Sequence, residues 1–182
     1  PKLGKILDLA DEETLVCIVS DHGAKASTHI FQVVDVQTRA GLTSIKGESS
    51  IGSHGVPLVL GTQGGFEVDW SQTKAYPQRI CYIYVNLKGR DPQGIVEPGR
   101  EYEEVREQII RQLYDYKDPG TGKKPIALSL KREDARILGL YGDRVGVVIY
   151  AINPEFGGVH GNVLPAVDHG FGSMKGLLVM CG

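Results

Sequence analysis

Thr14-Leu15-Val16-Cys17-Ile18-Val19-Ser20-Asp21-His22-Gly23 joins an apolar run to a carboxylate, an imidazole and a glycine. The apolar residues Leu15 to Val19, β-branched at three positions and preceded by the acidic turn Asp11-Glu12-Glu13, predict a strand covered on both faces by helices. In such sheets ligands collect at the carboxyl ends of the strands, which is where Asp21 and His22 fall. A hard oxygen beside a borderline nitrogen suits zinc or manganese better than calcium. Gly23 lets the backbone turn away without a Cβ clash. Asp and Gly also favour plain turns, so other segments must decide between a metal site and a loop.

With 182 residues, 41% hydrophobic and 23% charged, the chain has the length and composition of one globular domain spanning 1–182. A disordered or fibrous class is excluded. The 20 basic and 22 acidic residues are spread through the chain and give a net charge of -2, so there is no electrostatic footprint for duplex nucleic acid or an anionic membrane. No stretch reaches the ~20 apolar residues of a membrane helix, and no signal-peptide core is present. Cys17, Cys81 and Cys181 each sit in an apolar run without Cys-x-x-Cys spacing. They are expected as buried thiols in a reducing, cytoplasmic compartment, with a signal upstream of Pro1 left open.

Hydrophobic periodicity sets the remaining elements. Leu3, Ile6, Leu7 and Ala10 have helical spacing and suggest the tail of a longer helix. Ile30 to Leu42 predicts a short helix stopped at Gly41, and Thr43 to Gly65 a loop or small hairpin around Val56 to Leu60. Ile80 to Leu87 predicts a strand ended by Gly89-Arg90-Asp91-Pro92. Arg100 to Tyr116 predicts a helix with the stripe Val105, Ile109, Leu113, Tyr116, flanks at Tyr102 and Ile110, and Glu101, Glu103 and Glu104 at the positive end of its dipole. Asp118-Pro119-Gly120 closes it. Strands at Ile126 to Leu130, Val145 to Ile152 and Leu177 to Cys181, with a short helix at Arg132 to Leu138, complete the chain. Strands alternating with helices predict an α/β fold: a layered, mostly parallel sheet flanked by helices.

The glycine-rich loop from Asn153 to Gly176 holds His160-Gly161 and Asp168-His169-Gly170, either of which supplies a neutral imidazole to join Asp21 and His22. Spacing alone does not choose between His160 and His169. Ser53-His54 has no orienting acid and reads as a turn. Gly120-Thr121-Gly122-Lys123-Lys124 lacks the spacing of a phosphate loop. His29 has no motif and reads as a surface or packed histidine.

Several stretches together carry a family resemblance: Val19-Ser20-Asp21-His22-Gly23, Val68-Asp69-Trp70-Ser71-Gln72-Thr73-Lys74-Ala75-Tyr76, Tyr84-Val85-Asn86-Leu87-Lys88-Gly89-Arg90 with Gly94-Ile95-Val96, Ile137 to Arg144, and His160-Gly161 with Leu164-Pro165. Over nearly its whole length the chain resembles the C-terminal half of the type I phosphodiesterase/nucleotide pyrophosphatase family of the alkaline phosphatase superfamily. The resemblance implies a portion of an alkaline phosphatase-like fold and a two-metal hydrolase, usually zinc with manganese as the alternative, acting on small phosphate esters or nucleotides. It assigns one ion to Asp21 and His22, and the second to His160 in preference to His169. Two ions would polarise the phosphoryl group, activate a Thr or Ser nucleophile and stabilise the attacking and leaving oxygens.

The departures bear on activity. In the family the nucleophile, an aspartate ligand and an Asp-x-x-x-His pair precede the Asp-His-Gly turn; no Asp-x-x-x-His occurs here, and Val147 stands where the family has an aspartate. The chain is therefore expected to carry three ligands, Asp21, His22 and His160, to lack the nucleophile, and to be inactive without the missing N-terminal half of the same protein. The rival expectation is a non-catalytic binding or assembly module with a vestigial metal site. Sulfatases and phosphoglycerate mutases share the superfamily's metal geometry, but the segments Asp69 to Tyr76 and Tyr84 to Arg90 weigh against them.

Overall fold

A computed structural model describes residues 2–24, 29–46, 67–78, 81–157, 168–169, 172–173 and 175–181. Among them the periodicities resolve into helices α1 (Lys2–Leu7), α2 (Val33–Arg39) and α3 (Arg100–Asp115) and a 3-10 turn over Asp134–Leu138. The strands are β1 (Val16–Val19), β2 (His29–Ile30), β3 (Ile45–Lys46), β4 (Glu67–Val68), β5 (Ala75–Gln78), β6 (Tyr82–Val85), β7 (Ile126–Lys131), β8 (Val148–Ile152), β9 (Phe156–Gly157), β10 (Asp168–His169), β11 (Gly172–Ser173) and β12 (Leu178–Cys181). The chain divides into two compact units, Pro1–Ala26 with Pro165–Gly182, and Ser27–Leu164. No helix among the described residues is long and apolar enough to cross a membrane.

The larger unit is built on an antiparallel sheet in the order β5-β6-β8-β7. Val105, Ile109 and Leu113 recur every four residues along α3 and are all buried, so the helix lays one stripe on one face of this sheet. There they meet Ile83 and Val85 of β6, Val148, Tyr150 and Ile152 of β8, and Ile126 of β7. Each fully covered Ile or Leu contributes about 1.5–3 kcal/mol. On the other face Ile149 packs with Ala135 and Val145, flanked by Cys81, Tyr82, Leu130 and Leu140. Coverage of both faces explains why β8 reads as a near-continuous apolar run.

The expected layered, mostly parallel sheet flanked by helices is corrected: the described sheets are small, and only the two-residue pair β2–β9 is parallel. The alternation of strand, helix and strand was real, since β6 and β7 both run opposite to β8 and α3 joins them. β8 is inserted between the two, a split βαβ arrangement that replaces parallel pairing with two antiparallel ladders. Pairing is a long-range choice that local periodicity does not encode.

Val147, expected as an aspartate from the resemblance, is 1% exposed inside the α3-covered core. Its N–H donates to Ile83 O and its carbonyl accepts from Arg132 N. A carboxylate there would be buried without a partner, so this position belongs to the core and holds no ion.

The stretches Val68 to Tyr76 and Tyr84 to Val96 prove to be one structural knot. The Asn86 side chain, 1% exposed, donates through Nδ2 to the carbonyls of Trp70, Thr73 and Gln93 at 3.2, 2.9 and 2.9 Å. Gly94 is packed against the loop it closes, where a Cβ would lie 2.1 Å from Leu87 O. The loop's start is fixed by the positive φ of Gly89, 79°, and by Asp91, whose carboxylate accepts from Leu87 N at 2.7 Å.

The smaller unit contains α1 and two antiparallel pairs, β10–β11 and β1–β12. In the second pair Val16 to Val19 face Cys181 to Leu178 in register. Cys17 and Val19 are exposed, Val16 and Ile18 half-buried, and all of β12 is exposed. The cover expected on both faces of β1 is not supplied by the described residues. Cys17 and Cys181 are likewise exposed free thiols, while Cys81 is half-buried and its thiol is pushed up by burial.

Candidate metal centre

Asp21 and His22 follow the carboxyl end of β1, and the segment that launches them is fixed by backbone chemistry. Ser20 N donates to Leu177 O at 2.9 Å, and Leu177 N donates to Ser20 Oγ at 2.6 Å, so the β1–β12 ladder is extended one residue beyond Val19. Gly176 closes this clasp; a Cβ would lie 2.5 Å from Ser20 O, a separation no side chain tolerates. Sequence periodicity gave the strand but no sign of this glycine.

Beyond the clasp the Asp21 side chain is 89% exposed and that of His22 42%. The ring Nδ1–H of His22 donates to the carbonyl of Gly23. A backbone carbonyl on one ring nitrogen sets the tautomer and leaves the lone pair on the other, the arrangement that metal-ligating imidazoles use. His22 Nε2 lies 3.9 Å from Asp21 Oδ2. Two ligands of one tetrahedral zinc at about 2.0–2.1 Å are about 3.3 Å apart. A small side-chain rotation therefore brings this oxygen and nitrogen to the spacing of a shared ion.

His160 lies outside the described residues, as do His54 and the Val56 to Leu60 run. His169 is on β10 opposite Gly172, in the unit that also contains Asp21 and His22. His29 packs its ring on Phe156, with centroids 6.0 Å apart and a 51° tilt, which is a structural role. Asp69 accepts from Ser71 N, Ser71 Oγ and Gln72 Nε2, and these bonds hold its carboxyl below the usual range. It caps a turn. Among the described residues no group of three His, Cys, Asp or Glu side chains converges on one point. Asp21 and His22 are the two predicted ligands whose side chains lie near one another among the described residues.

One constellation was not read as a site from the sequence. Arg132, Arg136 and Tyr141 border a cleft beside the 3-10 turn; in the sequence it falls on the charged interruption between two apolar strands and on the Ile137 to Arg144 stretch. Comparison of the chain with protein-family models, curated proteins and solved structures finds no match.

Proposed function

We propose that this chain is part of a metal-dependent hydrolase of phosphate esters, of the phosphodiesterase/nucleotide pyrophosphatase type. The reading is supported by the motif resemblance and by one observation above the rest: at the end of β1 the His22 ring is tied through Nδ1 to Gly23, with Nε2 3.9 Å from the Asp21 carboxylate. Asp21 and His22 would hold one divalent ion, zinc or manganese, and His160 a second. The carboxylate supplies charge to offset the cation and the imidazole supplies a directional lone pair. A pair of such ions supplies Lewis acidity toward the phosphoryl oxygens and a site for an ionised nucleophile. The Thr or Ser nucleophile and the remaining ligands belong to the rest of the parent protein. The 182 residues alone would then be inactive.

The apolar surface of β1 and β12 supports the same division of labour. Val19, Leu178, Val179 and Met180 are 45–70% exposed. Contiguous exposure of this kind marks a surface that other polypeptide covers, and the missing half of the same protein is the proposed cover.

The test is hydrolysis of bis(p-nitrophenyl) phosphate and p-nitrophenyl phosphate by the full-length parent protein with zinc or manganese. Asp21→Asn, His22→Ala and His160→Ala are each expected to lower kcat/KM by at least about 100-fold, the scale on which catalytic metal sites fail. Unchanged turnover in all three variants would overturn the assignment. A parent protein that hydrolyses neither ester and gives a silent zinc titration would instead be the non-catalytic assembly module.

A further inference from the structure

Where β7 ends, the chain leaves the sheet and returns to it through a tightly pinned turn. Arg132 N still donates to Val147 O; then Ala135, fully buried, anchors the 3-10 turn against Val145 and Ile149. Gly139 and Gly142, with φ of 76° and 102°, reverse the backbone twice before it rejoins β8. Between the two limbs lies a cleft of about 350 Å³, lined by Arg132, Glu133, Arg136, Tyr141, Gly142 and Asp143. That is the low end of the size range of small-molecule sites, about 300–1,000 Å³.

The cleft is lined by two arginines and two carboxylates. Glu133 is bonded by Arg106, a guanidinium 3% exposed that also binds Glu103 and lies over the Tyr102 ring, so the Glu133 carboxylate is held from behind. Neither Arg132 nor Arg136 forms an ion pair among the described residues. Asp143 is the other lining carboxylate, so the two guanidinium groups are the donors in the cleft that no ion pair among the described residues engages. Each guanidinium offers a planar fork of N–H donors, which matches the oxygens of a phosphate. At the mouth Tyr141 is 72% exposed, and Ile137 and Leu138 in the same turn are 86% and 51% exposed. Three large apolar side chains beside two arginines favour an ester with an organic part over a bare inorganic ion.

We propose that the Arg132–Arg136 cleft binds the phosphate group of a small phosphomonoester, with Tyr141 stacking on a flat portion of the same ligand. The site stands on the larger unit's own turn and is independent of the metal centre assigned to Asp21 and His22.

The experiment is calorimetric titration of the 182-residue chain, stripped of metal with EDTA, against inorganic phosphate, adenosine monophosphate and adenosine at fixed low salt. Adenosine monophosphate is expected to bind more tightly than phosphate, and adenosine not measurably. Arg136→Gln and Arg132→Gln should each weaken adenosine monophosphate by at least about tenfold, as loss of a charge-assisted hydrogen bond does. Tyr141→Ala should weaken adenosine monophosphate while leaving phosphate unchanged. His22→Ala should alter none of these, which separates failure here from failure of the metal assignment. Arg136 is exposed, so its variant keeps the fold, verified by unchanged Trp70 fluorescence. Absence of binding, equal binding by Arg136→Gln, or loss of binding in His22→Ala would overturn the proposal.

Discussion

The β1–β12 ribbon and the α3-covered sheet are written in the same alphabet and meet opposite fates. Val16-Cys17-Ile18-Val19 and Leu178-Val179-Met180-Cys181 are as apolar as Val148-Ile149-Tyr150-Ala151-Ile152. Yet β12 is exposed along its length, whereas every residue of β8 except Ala151 is buried. The difference teaches that an apolar run records a demand for cover and says nothing of where the cover comes from. In the larger unit α3 and the Ala135 turn, both within the same stretch of chain, satisfy the demand. In the ribbon nothing among the described residues does.

The sharpest way to break this comparison is to truncate one apolar side chain to Ala in each place. Leu113→Ala removes a fully buried side chain beneath α3 and should destabilise the larger unit by about 2–5 kcal/mol. Val179→Ala on β12 should cost less than about 0.5 kcal/mol in the 182-residue chain, as exposed substitutions do. If the remainder of the proposed parent protein covers β12, the same change should become costly there. Urea unfolding followed through Trp70, the single tryptophan, measures the first effect, and amide exchange at β12 measures the second.

A smaller loss is expected from the knot. Asn86→Ala strips donors from the carbonyls of Trp70, Thr73 and Gln93 and should cost about 1–3 kcal/mol, with the unfolding slope unchanged. Gly176→Ala drives a methyl into Ser20 O. It should open the Ser20–Leu177 clasp and raise amide exchange at Leu177 while Trp70 unfolding stays put, separating the ribbon from the sheet directly.

The smallest effect is electrostatic. Burial pushes the Glu133 and Glu103 carboxyls up, but hydrogen bonds from Arg106 to Glu133, and from Lys131 and Arg106 to Glu103, outweigh it and hold both below their ordinary value of 4.5. Carboxyls depressed in the folded state add stability that is fully present above 4.5 and is lost as pH falls through the depressed values. The stability gap between wild type and Glu133→Gln, read by Trp70 at a series of pH values, should therefore be open at pH 7 and close in acid. A gap that widens in acid would contradict the pairing.

Local pattern made much of this legible. The α3 stripe of Val105, Ile109 and Leu113, the short helix near Val33 to Arg39 with its turn at Gly41, and the strands about Ile83, Leu128 and Ile149 all follow from spacing that one turn of backbone enforces. What was not legible is pairing. That β8 would insert between β6 and β7, or that β1 would pair with a strand more than 150 residues away, depends on contacts no window of sequence contains. The proposed metal centre divides the same way. Asp21-His22-Gly23 is visible as a motif at a strand end, but the Gly176 clasp and the Nδ1 bond to Gly23 that orient it exist only in three dimensions.

Anomalous diffraction at the zinc edge, from crystals of the full-length parent protein grown with zinc, tests the centre most directly. Metal binding by this pair requires a peak about 2.0–2.2 Å from both His22 Nε2 and an Asp21 carboxylate oxygen. Zinc held by other residues, with Asp21 and His22 turned to solvent, would contradict it.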